Sequence, residues 1–174
     1  MARQRTMAIL GAGYAGRTVA RLLIGEGWHV RGSSRTREGA GALDALGIEP
    51  FVLPGPELPA AFLDGADALL VSAPPQEQGD PYAARLVEMD AQALRRLAWI
   101  GYFSTTGVYG DTGGAWVDET APTNPSNPPG RRRVLAERQW FATGNRLGVP
   151  AQAFRLPGMY GPGRSALDDV RAGR

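Results

Sequence analysis

Near the N-terminus, Gly11-Ala12-Gly13-Tyr14-Ala15-Gly16 places three glycines at the spacing G-x-G-x-x-G. A turn of this kind can bring the main chain against a pyrophosphate. The first glycine permits the tight turn, the second lets the backbone approach the phosphates, and the third lets a helix pack closely on a strand. A helix starting there adds free N–H groups and the positive end of its dipole. Gly11, Gly13, Tyr14, Ala15 and Gly16 are therefore the candidate phosphate cradle, with the amides of Ala12–Ala15 expected to face outward. An NAD site usually carries Asp or Glu about 20 residues further on, to bond the ribose 2′-hydroxyl. Here that stretch reads Gly32-Ser33-Ser34-Arg35-Thr36-Arg37 and offers no carboxylate before Glu38. Ser33, Ser34, Arg35 and Arg37 suit a 2′-phosphate instead, through hydroxyl donors and bidentate guanidinium groups. The expected cofactor is NADP, with NAD as the alternative; a solvated basic loop is the plainer account of the same residues.

These residues need a strand before the turn and a helix after it, and the pattern supplies both. Met7–Leu10 is a short apolar run ending on Gly11, and Ala15, Val19, Leu22 and Leu23 then recur on one face of a helix closed by Gly25 and Gly27. Trp28–Ser33 reads as a strand, Ala40–Leu46 as a small helix and Glu49–Leu53 as a strand, followed by a Pro-rich connection through Pro54, Pro56 and Pro59. Ala66–Ser72 is a nearly continuous apolar strand, as expected where both faces of a sheet are covered. Asp80-Pro81 is a helix start whose helix carries Ala83, Leu86, Val87, Leu94 and Leu97 inward. Leu97–Phe103 is the next strand, a loop spans about 107–130, and a helix over Arg131–Thr143 precedes a strand over Ala151–Leu156. Strands alternating with helices imply right-handed crossovers and an α/β, doubly wound parallel sheet, the Rossmann fold. Ser165 and Asp168 form a further helix start, barely two turns before Arg174. The expectation is one NAD(P)-binding domain over 1–174, truncated before a substrate lobe.

Composition narrows the function classes. Apolar residues make up 43% and charged residues 21%, an ordinary globular balance. No apolar run approaches the ~18 residues of a membrane span, and the apolar N-terminal run is too short for a secretory leader. Cysteine is absent, which excludes disulfides, thiolate catalysis and Cys-ligated metal and suits a cytoplasmic protein. A net charge of +2 argues against a nucleic-acid partner. All 19 basic residues are Arg, so no Lys can form a Schiff base or assist a tyrosine. His29 is the sole histidine and stands far from the strand ends, and no metal site is expected.

Three further segments carry a resemblance. Phe103-Ser104-Thr105-Thr106-Gly107-Val108-Tyr109-Gly110 resembles the strand-end motif of extended short-chain dehydrogenases/reductases, which include the nucleotide-sugar epimerases and dehydratases. Val117-Asp118-Glu119-Thr120 with Pro122 is similar to that family's V-x-E-x-x-P stretch, and Arg155-Leu156-Pro157-Gly158-Met159-Tyr160-Gly161-Pro162-Gly163 to its R-x-x-x-x-Y-G-P-G segment. The resemblance implies that Thr105 bonds the substrate oxygen, that Pro157 and Gly158 pass the nicotinamide, and that Ser72, Ala73, Pro74 and Ser104 contact the cofactor. It also implies an oxidoreductase or epimerase/dehydratase acting on a small polar or nucleotide-sugar-like substrate. Apart from a small-molecule substrate, a homodimer is one expected assembly.

One departure from the family is plain. Where its Tyr-x-x-x-Lys pair stands, this chain has Pro129 and Arg133. Proline cannot exchange a proton. Arg133 can bond ribose hydroxyls or a phosphate, but at its pKa it cannot tune a phenol as lysine does. Thr105 and Arg133 remain the candidate catalytic residues, and a catalytically silent NADP-binding sensor or interaction module is the competing expectation. Tyr109 and Tyr160, each before a turn glycine, are expected to pack.

Overall fold

The computed structural model describes residues 3–173. β1 (Thr6–Leu10) leads through the glycine turn into α1 (Tyr14–Gly25), then β2 (His29–Ser34), α2 (Arg37–Asp44) and β3 (Glu49–Val52). Next come α3 (Ala60–Leu63), β4 (Ala68–Val71), α4 (Pro81–Glu88), α5 (Ala91–Leu94) and β5 (Trp99–Thr105). α6 (Pro128–Leu147), β6 (Ala151–Leu156) and α7 (Ala166–Arg171) complete the order. The six strands form one parallel sheet in the order β3-β2-β1-β4-β5-β6. The winding reverses between β1 and β4, which opens a crevice beyond the carboxyl ends of the strands. This is the doubly wound, Rossmann-like sheet expected from the alternation.

Two cores flank the sheet because successive strand residues point to opposite faces. Ala8 and Leu10 join Leu69, Val71, Ile100 and Tyr102 beneath Phe62, Leu86 and Trp140. Met7 and Ile9 join Val30 and Leu70 beneath Ala20 and Leu43. Every residue of β1 and β4 is buried, which explains their uninterrupted apolar runs. Each large aliphatic side chain placed there contributes about 1.5–3 kcal/mol.

The helices depart from expectation for local reasons. α1 buries Gly16 and Ala20, with Leu23 and Ile24 packed beside them, whereas Leu22 is 68% exposed. Gly16 fixes that rotation, since a Cβ there would stand 3.1 Å from Ile9 Cγ2. α2 starts before Ala40 because Thr36 Oγ1 accepts the Gly39 N–H at 3.1 Å. The helix expected from Pro81 through Leu97 is two: Met89 is extended, and Asp90 starts α5 by accepting from Gln92 N at 2.7 Å. α3, inside the Pro-rich connection, was not expected; it buries Phe62 and Leu63. α6 starts at Pro128 rather than Arg131, capped by Asn127 Oδ1 from Gly130 N at 2.8 Å, with proline at its first position.

Asp80 caps α4 through the Tyr82 N–H at 2.9 Å, and its own N–H donates to Gln139 Oε1 at 2.7 Å. The side chain is buried, and its second oxygen and Trp140 Nε1 each lack a partner at full hydrogen-bond geometry. Burial raises the Asp80 carboxyl above the ordinary aspartate range, against the weaker pulls of the Trp140 indole, the Tyr82 amide and the Arg133 charge. The folded protein thus holds this proton more tightly than the unfolded chain does. Stability is lost as pH rises above about 4, the ordinary aspartate range. Asp80→Asn should keep the cap, raise the melting temperature at pH 7 and lose that advantage below about pH 4; calorimetry at the two pH values checks this.

Candidate functional site

The glycine turn is built by three strand ends. Gly11 has φ +72°, and a Cβ there would lie 2.7 Å from the Ala73 backbone, so the turn closes on the end of β4. Its N–H donates to Ser33 Oγ at 2.8 Å, and the Ala12 N–H donates to Ser33 O at 2.9 Å. The Gly13 N–H turns back to Gly11 O at 2.7 Å. The amides of Ala12 and Gly13 are therefore spent inside the turn, which corrects the expectation that Ala12–Ala15 all face outward. Arg17 N is the first amide of α1 with a carbonyl partner one turn back, Gly13 O at 2.8 Å. Gly13 caps the helix without a side chain, leaving Tyr14, Ala15 and Gly16 as the helix-start donors.

A cleft of about 430 Å³ opens over this turn. It gathers Gly11, Gly13, Ser33, Ser34, Arg35, Ser72, Ala73 and Pro74 from three strand ends, together with Arg17, Leu53–Pro56 and Tyr82. Arg37, the first residue of α2, is exposed and does not line it. Ser33 is only 4% exposed and its hydroxyl accepts the Gly11 N–H, so its part is to shape the turn. A smaller recess of about 310 Å³ lies beside it, lined by Tyr14, Ala15, Phe103, Gly158 and Tyr160. Gly16 lies buried beneath, and Pro157 is exposed and lines neither. Tyr160 is 86% exposed, correcting the packing role expected for it. The Tyr160-Gly161-Pro162-Gly163-Arg164 turn leans on Tyr14, whose hydroxyl abuts Gly161 and whose ring lies 5.5 Å from the Arg164 guanidinium.

At the end of β5 the expected residues divide. Thr105 Oγ1 accepts the Gly107 N–H at 3.2 Å and caps the single 3₁₀ turn Thr106–Val108. Ser104 points the opposite way, as strand alternation requires. It is 6% exposed and donates to Glu137 Oε1 at 2.5 Å, so it serves the core and not the cofactor contact expected of it. Arg133 is anchored to β5, donating to Phe103 O at 2.5 Å and to Tyr102 Oη at 3.1 Å. Burial pushes the Tyr102 phenol up to about 12 despite the Arg133 charge, so it is neutral at physiological pH. The start of α6 packs on the Thr105 turn: a Cβ on Gly130 would lie 2.8 Å from Gly107 O.

One network escaped the sequence reading. Arg155 grips Glu137 with two bonds, Nη2–Oε2 at 2.9 Å and Nε–Oε1 at 3.1 Å, and donates to Tyr109 Oη at 2.9 Å. Tyr109 in turn donates to Asp118 O at 2.8 Å. Its only signal in the sequence was Arg155 at the head of the R-x-x-x-x-Y-G-P-G segment. Among the described residues no group of three or more Asp, Glu, His or Cys comes together to hold a metal ion, and no helix is long and apolar enough to cross a membrane.

No protein-family model matches the chain. Protein YeeZ of Escherichia coli strain K12 is 36% identical over 172 residues, covering 92% of this chain and 61% of that protein. A functionally unknown conserved protein from Silicibacter pomeroyi DSS is 45% identical with a TM-score of 0.82, over 93% of this chain and 56% of that one. UDP-glucuronic acid 4-epimerase from Bacillus cereus, in complex with NAD, is 21% identical with a TM-score of 0.73, over 94% of this chain and 58% of that one. The chain shares the Rossmann-like fold of the two solved structures. The chain spans about three-fifths of the length of the relatives it matches.

The Gly11 turn is the most demanding point of the site. Gly11→Ala should destabilise the protein by at least about 2 kcal/mol, from a left-handed alanine and its clash with Ala73. The midpoint of denaturant unfolding checks this.

Proposed function

We propose that this chain is the nucleotide-binding part of an NADP-dependent oxidoreductase or epimerase/dehydratase acting on a small polar or nucleotide-sugar-like substrate. The observation that carries the reading is the cleft at the switch point of the sheet, lined by two guanidinium groups, Arg17 and Arg35, and by no carboxylate. A carboxylate there would favour a ribose hydroxyl; cations favour a phosphate. The close approach of Gly11 to Ala73 and the helix-start amides of Tyr14 and Ala15 fit a diphosphate, and Leu53, Pro54 and Tyr82 give the cleft an apolar wall. The NAD-bound epimerase of the same fold supports the cofactor class. When bound, such a cofactor donates or accepts a hydride.

In this reading Thr105 bonds the substrate oxygen, and Arg133, tied to the main chain of β5, holds a permanent charge beside that strand end. The proton is the weak point. Pro129 has none to exchange, and Tyr102 is buried and neutral. That favours a second reading, an NADP-binding sensor without turnover.

Titrating the full-length protein with NADPH and NADH, followed by tryptophan fluorescence, should show NADPH at least about tenfold tighter, worth roughly 1.4 kcal/mol. Equal or tighter NADH binding overturns the NADP assignment. NADPH oxidation assayed with nucleotide-sugars and small aldehydes separates the two readings. An enzyme should turn over and lose roughly a hundredfold in kcat on Thr105→Ala, whereas a sensor should leave NADPH unconsumed.

A further inference from the structure

We infer that Arg17 is the main specificity-determining residue of the cleft, holding the 2′-phosphate of NADP more strongly than Arg35 does. The inference rests on the NADP reading proposed above. Arg17 stands one turn into α1, and its Nε donates to Ala12 O at 3.1 Å. The same residue, Ala12, donates its N–H to Ser33 O. Two hydrogen bonds therefore tie the Arg17 side chain to the end of β2, next to Ser34 and Arg35. The bond at Nε leaves both terminal nitrogens, and among the described residues neither meets a protein acceptor or forms an ion pair. Four N–H donors on two nitrogens are the fork that a phosphate accepts.

Arg17 lines the cleft on the side it shares with Ser34 and Arg35, and the same cleft also holds Gly11 and Gly13 of the turn, so comparing the two coenzymes decides which phosphate it meets. Arg17 is also half-buried, whereas Arg35 and Arg37 are exposed. An exposed cation is screened over about 8 Å at physiological salt, and a loose side chain loses more freedom on binding. Preorganisation and partial burial both favour Arg17.

Dissociation constants for NADPH and NADH on the full-length protein and on Arg17→Gln, Arg17→Lys and Arg35→Gln test the assignment. Arg17→Gln should weaken NADPH by tenfold or more, the scale of a lost charged hydrogen bond, and leave NADH within about twofold. Arg17→Lys, which keeps the charge without the fork, should lose less, and Arg35→Gln less than Arg17→Gln. NADH affinity reports that each variant still folds its glycine turn. Equal weakening of both coenzymes by Arg17→Gln places the side chain on the diphosphate or the turn and overturns the assignment, as does an NADPH preference that survives the substitution. A wild-type protein with no NADPH preference removes the NADP reading itself, and the assignment with it.

Discussion

A single left-handed residue holds the carboxyl edge of the sheet together. At Gly11 the chain leaves β1 with φ +72°, passes Ala73 closer than any side chain allows, and hands its N–H to Ser33 Oγ. The next amide, that of Ala12, goes to Ser33 O. The ends of β1, β2 and β4 are thereby fixed to one another within two residues. α1 can then start with free amides, and the cleft takes its shape from the same contacts. An ordinary residue at this point would take the left-handed conformation at a cost and press on β4, separating the strand ends that carry every other feature of the site.

The strands were legible because both faces of the sheet are covered. Met7–Leu10 and Ala66–Ser72 had to be apolar throughout, and β1 and β4 fall within or beside those runs. The glycine spacing was legible for a similar reason, since few other residues tolerate that turn. What escaped was set by contacts distant in sequence. The rotation of α1 depends on Gly16 meeting Ile9, and periodicity alone brought Leu22 inward. Pro128-Pro129-Gly130 reads as loop until Asn127 is seen to cap it. Ser33 and Ser104 stood in the right segments, but hydroxyl direction is decided by partners across the sheet, Gly11 and Glu137.

The junction of β5, α6 and β6 is organised around charge. Glu137 is 3% exposed and accepts from three donors: Ser104 Oγ, and Nε and Nη2 of Arg155. A buried pair of this kind is a weak source of net stability, yet removing one partner is costly because the other is left without compensation. The pair also orders the loop after β5, since Arg155 reaches Tyr109 and Tyr109 reaches Asp118. Arg133 on the same helix grips the main chain of β5. α6 thus sets where Thr105 sits without contributing a proton donor of its own.

The absence of lysine has a consequence for the cleft. Its cations are both guanidinium groups, and neither histidine nor carboxylate lines it. A guanidinium group, unlike an imidazole or an amine, stays charged across the physiological range. A phosphate monoester, by contrast, takes up a proton near pH 6. A change in ligand affinity near that pH, once the titration of buried Asp80 behind Pro81 and Tyr82 is subtracted, would thus report the ionisation of the guest.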